Sequence, residues 1–443
     1  MKAYEKNLKE IFGFTCFGPG KRWILVSLVF SLVLFELAVM PAQAHRFEPK
    51  PRSHHFKPSP GLMLVDYTHL NGGKDGVALI DMDPESRRFG RILQKRSIGR
   101  GVLPHHLYFN RDESRLYSTS LGGSFLYEIH FKRDRHNRPR LGRIEPIDTG
   151  GNLIAEDMYF SSDGSRYYLT FLGGRGGARD GSVGVFDAST NELLETITAP
   201  EPTDPSSDQP FILYPHGISA NEELGVFMVT SASSPDGVTG IGNTVTQIDL
   251  ETHEPLKTYL VADFPKDLSE TIEVLLLRDD LPPYALVTTG TGGDIWVSSY
   301  NDGAGFFNSF EKKVEGDDQG LGVPLEFYIY SNTQGDKELY VSFSSPGVVN
   351  VYSLEQLPDL PLKRTLPAGA GAHHMAFFKT RSGREAVVIQ NNLINLEGLN
   401  EGTLTVVDIY TGEILGTLDM RADYGLLPES VEWAYGQGAD THH

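Results

Sequence analysis

The chain has a single cysteine in 443 residues, Cys16, and it lies in a segment that reads as a leader. Once the leader is gone no thiol remains. That excludes disulfides, thiolate metal ligands, iron-sulfur clusters, cysteine catalysis and c-type haem attachment. Any metal must then sit on imidazole, carboxylate or backbone oxygen. Positive charge is also scarce. Lys and Arg number 39 against 58 Asp and Glu, a formal net of −19, and no basic cluster stands out. Nucleic acid is therefore excluded as a partner, because binding phosphates needs such a patch. Helix-period stretches of useful length are missing as well. What is present is a composition with 40% hydrophobic and 22% charged residues, which suits a large globular core and not a disordered or collagen-like chain.

Residues 1–44 carry Lys21-Arg22, an apolar run from Trp23 to Met40 and then Ala42-Gln43-Ala44, the layout of a secretory signal peptide cleaved after Ala44. An uncleaved anchor is the alternative, since the apolar run holds Glu36. Cleavage predicts a periplasmic or secreted protein with no membrane partner. Without the leader's five basic and three acidic residues the balance is 34 against 55, a net of −21. Residues 45–60 form a Pro-rich linker. Its His45, His54 and His55 resemble a copper-chelating chain start but read more simply as a solubilising tail.

From Gly61 onward, short β-branched and aromatic runs alternate with Gly, Asp, Asn and Ser turns, the pattern of an all-β fold. One strand type recurs seven times: LPHHLYF, IAEDMYF, YPHGISA, SETIEVL, VPLEFYI, GAHHMAF and LPESVEW. Aligned on Pro104, Ala155, Pro215, Ser269, Pro324, Ala372 and Pro428, the copies lie 51, 60, 54, 55, 48 and 56 residues apart, one four-stranded propeller blade per repeat. Six units are complete. Residues 61–99 supply the second to fourth strands of a seventh blade whose first strand is the C-terminal LPESVEW. The expectation is a seven-bladed β-propeller over 61–436, closed by strands from both chain ends, with a tail at 437–443.

The first strand of a propeller blade lines the central channel, so aligned positions form rings around one axis. The first ring reads His105, Glu156, His216, Glu270, Leu325, His373 and Glu429. The second reads His106, Asp157, Gly217, Thr271, Glu326, His374 and Ser430. In a regular strand only one of two adjacent histidines faces the axis. These pairs sit at the loop-to-strand entry, which Pro104, Pro215 and Pro324 mark in three of the blades, so both members are expected to reach the mouth. Imidazoles beside carboxylates suit copper, with zinc or another divalent metal as the alternative, whereas calcium would want oxygen throughout. The plain reading of any one pair is a hydrogen bond between blades. Three blades with His on one ring, and acids on others, favour a metal or catalytic site.

Elsewhere, His69 is placed near the channel mouth, and His130, His136 and His253 fall in exposed charged strings. The Gly-rich LGGRGGARDG at 172–181 has no following Lys-Ser/Thr or helix and reads as a loop. No G-x-S-x-G elbow is present.

The segments PHHLYFNRDESRLY, PHGISANEELGVF and AHHMAFFKTRSGREAVV resemble the seven-bladed propellers of the selenium-binding protein and methanethiol oxidase family, and PLEFYIY is similar to a Pro-Leu-Glu strand found there. The paired histidines also look like the propeller of nitrous oxide reductase, and the Pro-His starts like lactonase-type propellers. The chain departs from the first two: it has no cupredoxin domain with cysteine ligands, and it lacks the cysteine segment associated with selenium. The resemblance implies a copper site at His105, His106, His216, His373 and His374, with Glu326 from the matching strand.

The function expected is thus that of an exported copper-dependent oxidoreductase acting on a small molecule, such as a thiol or other reduced sulfur compound. The five histidines would hold the metal, and Glu326, Glu156 and Asp157 would serve as ligand, orienting group or proton acceptor. Two alternatives stand beside it, a lactonase-type hydrolase and a non-catalytic metal-binding or interaction propeller.

Overall fold

The computed structural model describes residues 59–173, 181–198, 214–233, 241–261, 270–290, 292–436 and 440–441. The proposed leader, the linker up to residue 58, most of the Gly-rich loop and the tail other than 440–441 lie outside the described residues. The chain forms seven antiparallel sheets arranged as the blades of an all-β propeller. Blade 1 runs outward from Pro104–Phe109, blade 2 from Leu153–Phe160 and blade 3 from Pro215–Asn221. Blades 4, 5 and 6 start at Thr271–Leu276, Gly322–Ser331 and Ala372–Lys379. Among the described residues helix is limited to Met420–Tyr424 and a 3₁₀ turn at Asp317–Gln319, and no helix is long and apolar enough to cross a membrane.

Blade 7 takes its inner strand, Leu426–Trp433, from the C-terminal end and its other three, Leu62–His69, Asp75–Asp81 and Ile92–Gly99, from the N-terminal end. The two ends are also tied by side chains. Trp433 Nε1 donates to the Pro60 carbonyl at 2.8 Å and the Tyr435 hydroxyl to the Ser59 carbonyl at 3.1 Å. A closed ring of this kind removes the long free edges that would otherwise invite pairing between molecules.

Apolar side chains pack mainly between blades, because the middle strands of each blade bury both faces and so read as near-continuous hydrophobic runs such as Val226–Ser233. Blades 1 and 2 meet through Tyr117, Leu126, Met158 and Leu169, and blades 6 and 7 through Val388, Leu404, Val65 and Ile80. Between blades 5 and 6, Phe377 stacks on Tyr330 at 4.6 Å and meets Tyr340 edge-on at 4.9 Å. Each such buried ring or aliphatic side chain contributes about 1.5–3 kcal/mol.

Two features differ from the sequence reading. The fourth strand of blade 4 is broken into Phe306–Phe307 and Glu311–Val314, both against Asp294–Asn301. In the tail, Asp440 and Thr441 pair with Ile329 and Tyr328 on the channel side of blade 5. An inner strand has one backbone edge left over after pairing within its blade, and these two residues occupy part of it.

Candidate metal centre

Every inner strand breaks register at its channel end. In blade 1, Pro104 pairs with Ser120 but Leu107 with Ser118, so His105 and His106 together face one residue, Thr119. The same two-against-one bulge falls at Glu156–Asp157, His216–Gly217, Ile272–Glu273, Leu325–Glu326 and His373–His374. In blade 7 the shift brackets Glu429. Strict alternation fails at a bulge, so adjacent side chains emerge on the same side. This is why both histidines of a pair reach the axis.

A bulge leaves one N–H outside the ladder, and a buried N–H without a partner is costly. In blades 1 to 6 a side chain on the facing strand takes it. The N–H of His106 donates to Thr119 Oγ1 at 3.2 Å, Asp157 to Thr170 at 2.9 Å, Gly217 to Thr230 at 2.8 Å and Glu273 to Thr288 at 3.0 Å. Ser342 and Gln390 do the same for Glu326 and His374, both at 3.2 Å. Three of these hydroxyls also donate onward to the next blade, Thr170 to the carbonyl of His216, Thr230 to that of Ile272 at 2.7 Å and Thr288 to that of Leu325 at 3.4 Å. One hydroxyl thus fixes a bulge in its own blade and the neighbouring ring residue. This column had a visible signal, the Thr or Ser late in YSTS, YLTF, VTS, VTTG and VSF.

The bulges correct the alignment of blade 4. Its anchor is Thr271, not Ser269, so Ile272 stands in the first ring and Glu273 in the second, where Glu270 and Thr271 were expected. No proline marks this blade's start, and the anchor lies two residues beyond the expected one. Thr271 turns between blades, donating to the Ser231 and Thr244 carbonyls. Glu270 stays buried on the channel wall, and Glu273 is the ring residue that the sequence reading missed.

His105, His106, His373 and His374 converge from blades 1 and 6. Their ring centres are 3.8 Å apart for His373–His374, 4.3 Å for His105–His106 and 4.5 Å for His106–His374. Two carboxylates close the group. Glu156 Oε2 lies 3.3 Å from His105 Nε2, 4.0 Å from His106 Nε2 and 3.8 Å from His216 Nε2. Glu326 Oε1 lies 3.2 Å from His373 Nε2 and 3.7 Å from His374 Nδ1. His216 Nδ1 is 2.9 Å from Glu273 Oε1. Asp157 points elsewhere, accepting from the Tyr108 hydroxyl at 2.9 Å and the Ile218 N–H at 2.8 Å, and so positions blades 1 to 3. His106 lies stacked on that same Tyr108 ring at 5.6 Å.

The remaining sequence candidates fall outside the cluster. Glu429 is buried on the ring and accepts from Asn392 Nδ2 at 2.8 Å. His69 is half-buried, its Nδ1 accepting the Asn71 N–H. His253, expected in an exposed string, is buried against Tyr168 and Glu195, because the turn holding it folds under the neighbouring blade.

Burial holds His106 and His373 well below the ordinary imidazole value, and the other histidines of the cluster add to the shift. Both rings are neutral at physiological pH, the state in which imidazole ligates metal. His105 Nδ1, His106 Nε2, His373 Nδ1 and Glu156 Oε2 are buried without a hydrogen-bond partner. Each such atom costs about 1–3 kcal/mol. A cation drawing on these groups would offset that cost, and a donor set of imidazole and carboxylate without thiolate fits copper or zinc.

Above the cluster opens a funnel walled by Leu121, Leu172, Ile272, Val323 and Leu325. The loop between Glu385–Asn391 and Thr403–Asp408 of blade 6 leans across it with Leu393, Ile394 and Leu396. Ile394 packs against apolar groups on both sides, Leu325 with Val323 and Leu121 with Leu172. Leu103, Ile154, Tyr214 and Val323, each preceding a bulge by one or two residues, have φ of 52°, 62°, 56° and 52°. Left-handed backbone is unfavourable for such side chains and is held here by the surrounding packing.

No protein-family model matches the chain. It is 22% identical over 317 residues to the methanethiol oxidase of Ruegeria pomeroyi, an alignment spanning 66% of this chain and 68% of that protein. In fold it is similar to a hypothetical selenium-binding protein from Sulfolobus tokodaii, with a TM-score of 0.66 and 17% identity over 86% of this chain and 95% of the other. It is also similar to the periplasmic gluconolactonase of Pseudomonas aeruginosa, with a TM-score of 0.54 and 13% identity over 81% and 96% of the two chains.

Proposed function

We propose that this propeller, which resembles the selenium-binding protein and methanethiol oxidase group in sequence and in fold, is an exported copper-dependent oxidoreductase acting on a small reduced sulfur compound such as a thiol. The observation that carries the reading is the buried cluster of four histidines and two glutamates, with the half-buried His216 beside Glu156, at the foot of an apolar funnel. The likeness to a protein named methanethiol oxidase supports the choice of substrate class. His105, His106, His216, His373 and His374 would hold the metal. Copper, when bound, supplies one-electron chemistry that none of these side chains provides.

The protein's own groups do the rest. Glu156 and Glu326 orient the imidazoles and are placed to accept the proton of an incoming thiol. The funnel wall strips water from a small apolar substrate and leaves highly hydrated competitors outside. Export would follow from cleavage after Ala44, giving a mature chain that begins at His45 in the periplasm.

The test is elemental analysis of protein exported from copper-fed cells, beside the His105→Ala/His373→Ala double variant, followed by oxygen consumption with alkyl thiols. Near-stoichiometric copper that is lost in the variant, together with thiol-dependent oxygen uptake, is expected. Lactone turnover without copper would move the assignment to a hydrolase. Bound metal with turnover of neither substrate would leave a metal-binding propeller.

A further inference from the structure

We infer that the cluster holds two adjacent metal ions, each with its own carboxylate, and that His106 stands between them; this rests on the metal-binding reading above. Two sets of potential ligands are close enough to share an ion: His106, Glu326, His373 and His374 form one, and His105, His106 and Glu156 the other. Their common member is His106, whose ring centre lies 4.3 Å from that of His105 and 4.5 Å from that of His374. His216 extends the second set, with Nε2 3.8 Å from Glu156 Oε2.

Counting donors leads to two ions. Seven side chains converge, while a tetrahedral ion with one position kept open for substrate draws on about three protein ligands. Leaving His106 aside, Glu326, His373 and His374 make one set of three, and His105, His216 and Glu156 make the other. The unpartnered buried atoms fall in both halves: His105 Nδ1 and Glu156 Oε2 in one, His373 Nδ1 in the other, with His106 Nε2 at their junction. A single ion bound by one half would leave the other half's buried polar atoms unmatched.

The experiment titrates the chelator-stripped full-length mature protein with zinc and, separately, with copper(II), and counts the metal retained after desalting. Two equivalents are expected in the wild type. One is expected in each of Glu156→Gln/His216→Ala and Glu326→Gln/His374→Ala, with the β-sheet circular dichroism unchanged. In the copper-loaded wild type, the integrated electron spin resonance signal should fall short of the copper counted by mass, because neighbouring copper(II) ions couple. That readout needs no variant. A wild type holding one equivalent with its full spin intensity overturns the two-ion inference and leaves the proposed oxidoreductase standing. Loss of both ions from either variant overturns the division into two sets. No retained metal in any form overturns the proposed function together with the inference.

Discussion

Thr170→Val tests how the centre is built. Valine keeps the shape of threonine and removes only the hydroxyl, which accepts the Asp157 N–H at 2.9 Å and donates to the His216 carbonyl. Thr170 is fully buried, so water does not replace either bond. Each backbone group left unmatched costs about 1–3 kcal/mol, giving about 2–6 kcal/mol for the pair, with the lower half expected if the bulge relaxes. The damage should not stop at stability. Freed from the hydroxyl, the His216 backbone shifts relative to Glu156 and Glu273, and loss of an orienting contact of this kind lowers metal affinity by about 10–100-fold. Urea unfolding of the metal-free protein and competitive zinc titration read the two effects separately. A Thr170→Val protein that unfolds at the wild-type midpoint with an unchanged slope, and binds zinc as tightly, would refute the account of the hydroxyl as the link between blades 2 and 3. Thr246→Val serves as a control: its hydroxyl is also buried but bonds to the Thr258 side chain, away from the channel.

Other expectations follow from the same geometry. Because His106 and His373 stay neutral in the folded protein well below the ordinary imidazole value, the unfolded chain takes up protons that the folded chain refuses as pH falls below about 6.5. The metal-free protein should lose up to about 1.4 kcal/mol per pH unit for each ring in that window, and a His106→Gln/His373→Gln variant should show a shallower slope in urea unfolding. Burial pushes Glu429 the opposite way, well above the ordinary carboxyl range. Its contribution is present at low pH and lost as pH rises through its folded value, so Glu429→Gln should gain stability relative to wild type as pH rises above the ordinary carboxyl value of about 4.3. At the funnel, Ile394→Ser/Leu396→Ser removes the apolar groups that span the mouth. Stopped-flow transfer of bound metal to a hydrophilic chelator should then accelerate with the stoichiometry unchanged, and an unaltered rate would show that the loop does not control access.

The blade pattern was legible because it is local. Alternation, Gly and Asn turns and a period near one blade are properties of short segments, and the closing strand LPESVEW was recognisable as the missing first strand of the N-terminal blade. Turns with a shared sequence set the blade edges in the same local way. In DASTNE, DLETHE and DIYTGE the aspartates at 187, 249 and 408 accept the N–H of Thr190, Thr252 and Thr411 at 2.8, 2.7 and 2.9 Å. The histidine pairs were legible as ring candidates by their repeat position alone. That both members reach the mouth was expected from their place at the strand entry, but the cause was not legible: strand alternation predicts one inward and one outward member, and the bulge sets both toward the axis.

Blade 4 shows the limit most clearly. Ser269 and Thr271 are equally good anchors by spacing, and the choice between them is made by contacts with other strands: Thr230 of blade 3 donating to the Ile272 carbonyl, and Thr288 taking the Glu273 N–H. Asp157 is a second case, an acid at a ring position whose carboxylate is claimed by Tyr108 of blade 1 and the Ile218 N–H of blade 3. The sequence by itself determined an all-β chain of repeated four-stranded units, the absence of thiol chemistry from the propeller and the residue types around the channel. Tertiary structure decided which of those residues meet. His105 and His374 lie 269 positions apart, and their convergence depends on blade closure, on the bulge in each inner strand and on hydroxyls that pass from one blade to the next. None of these is a property of a segment on its own, because each hydrogen bond that fixes the ring has its second partner on another strand.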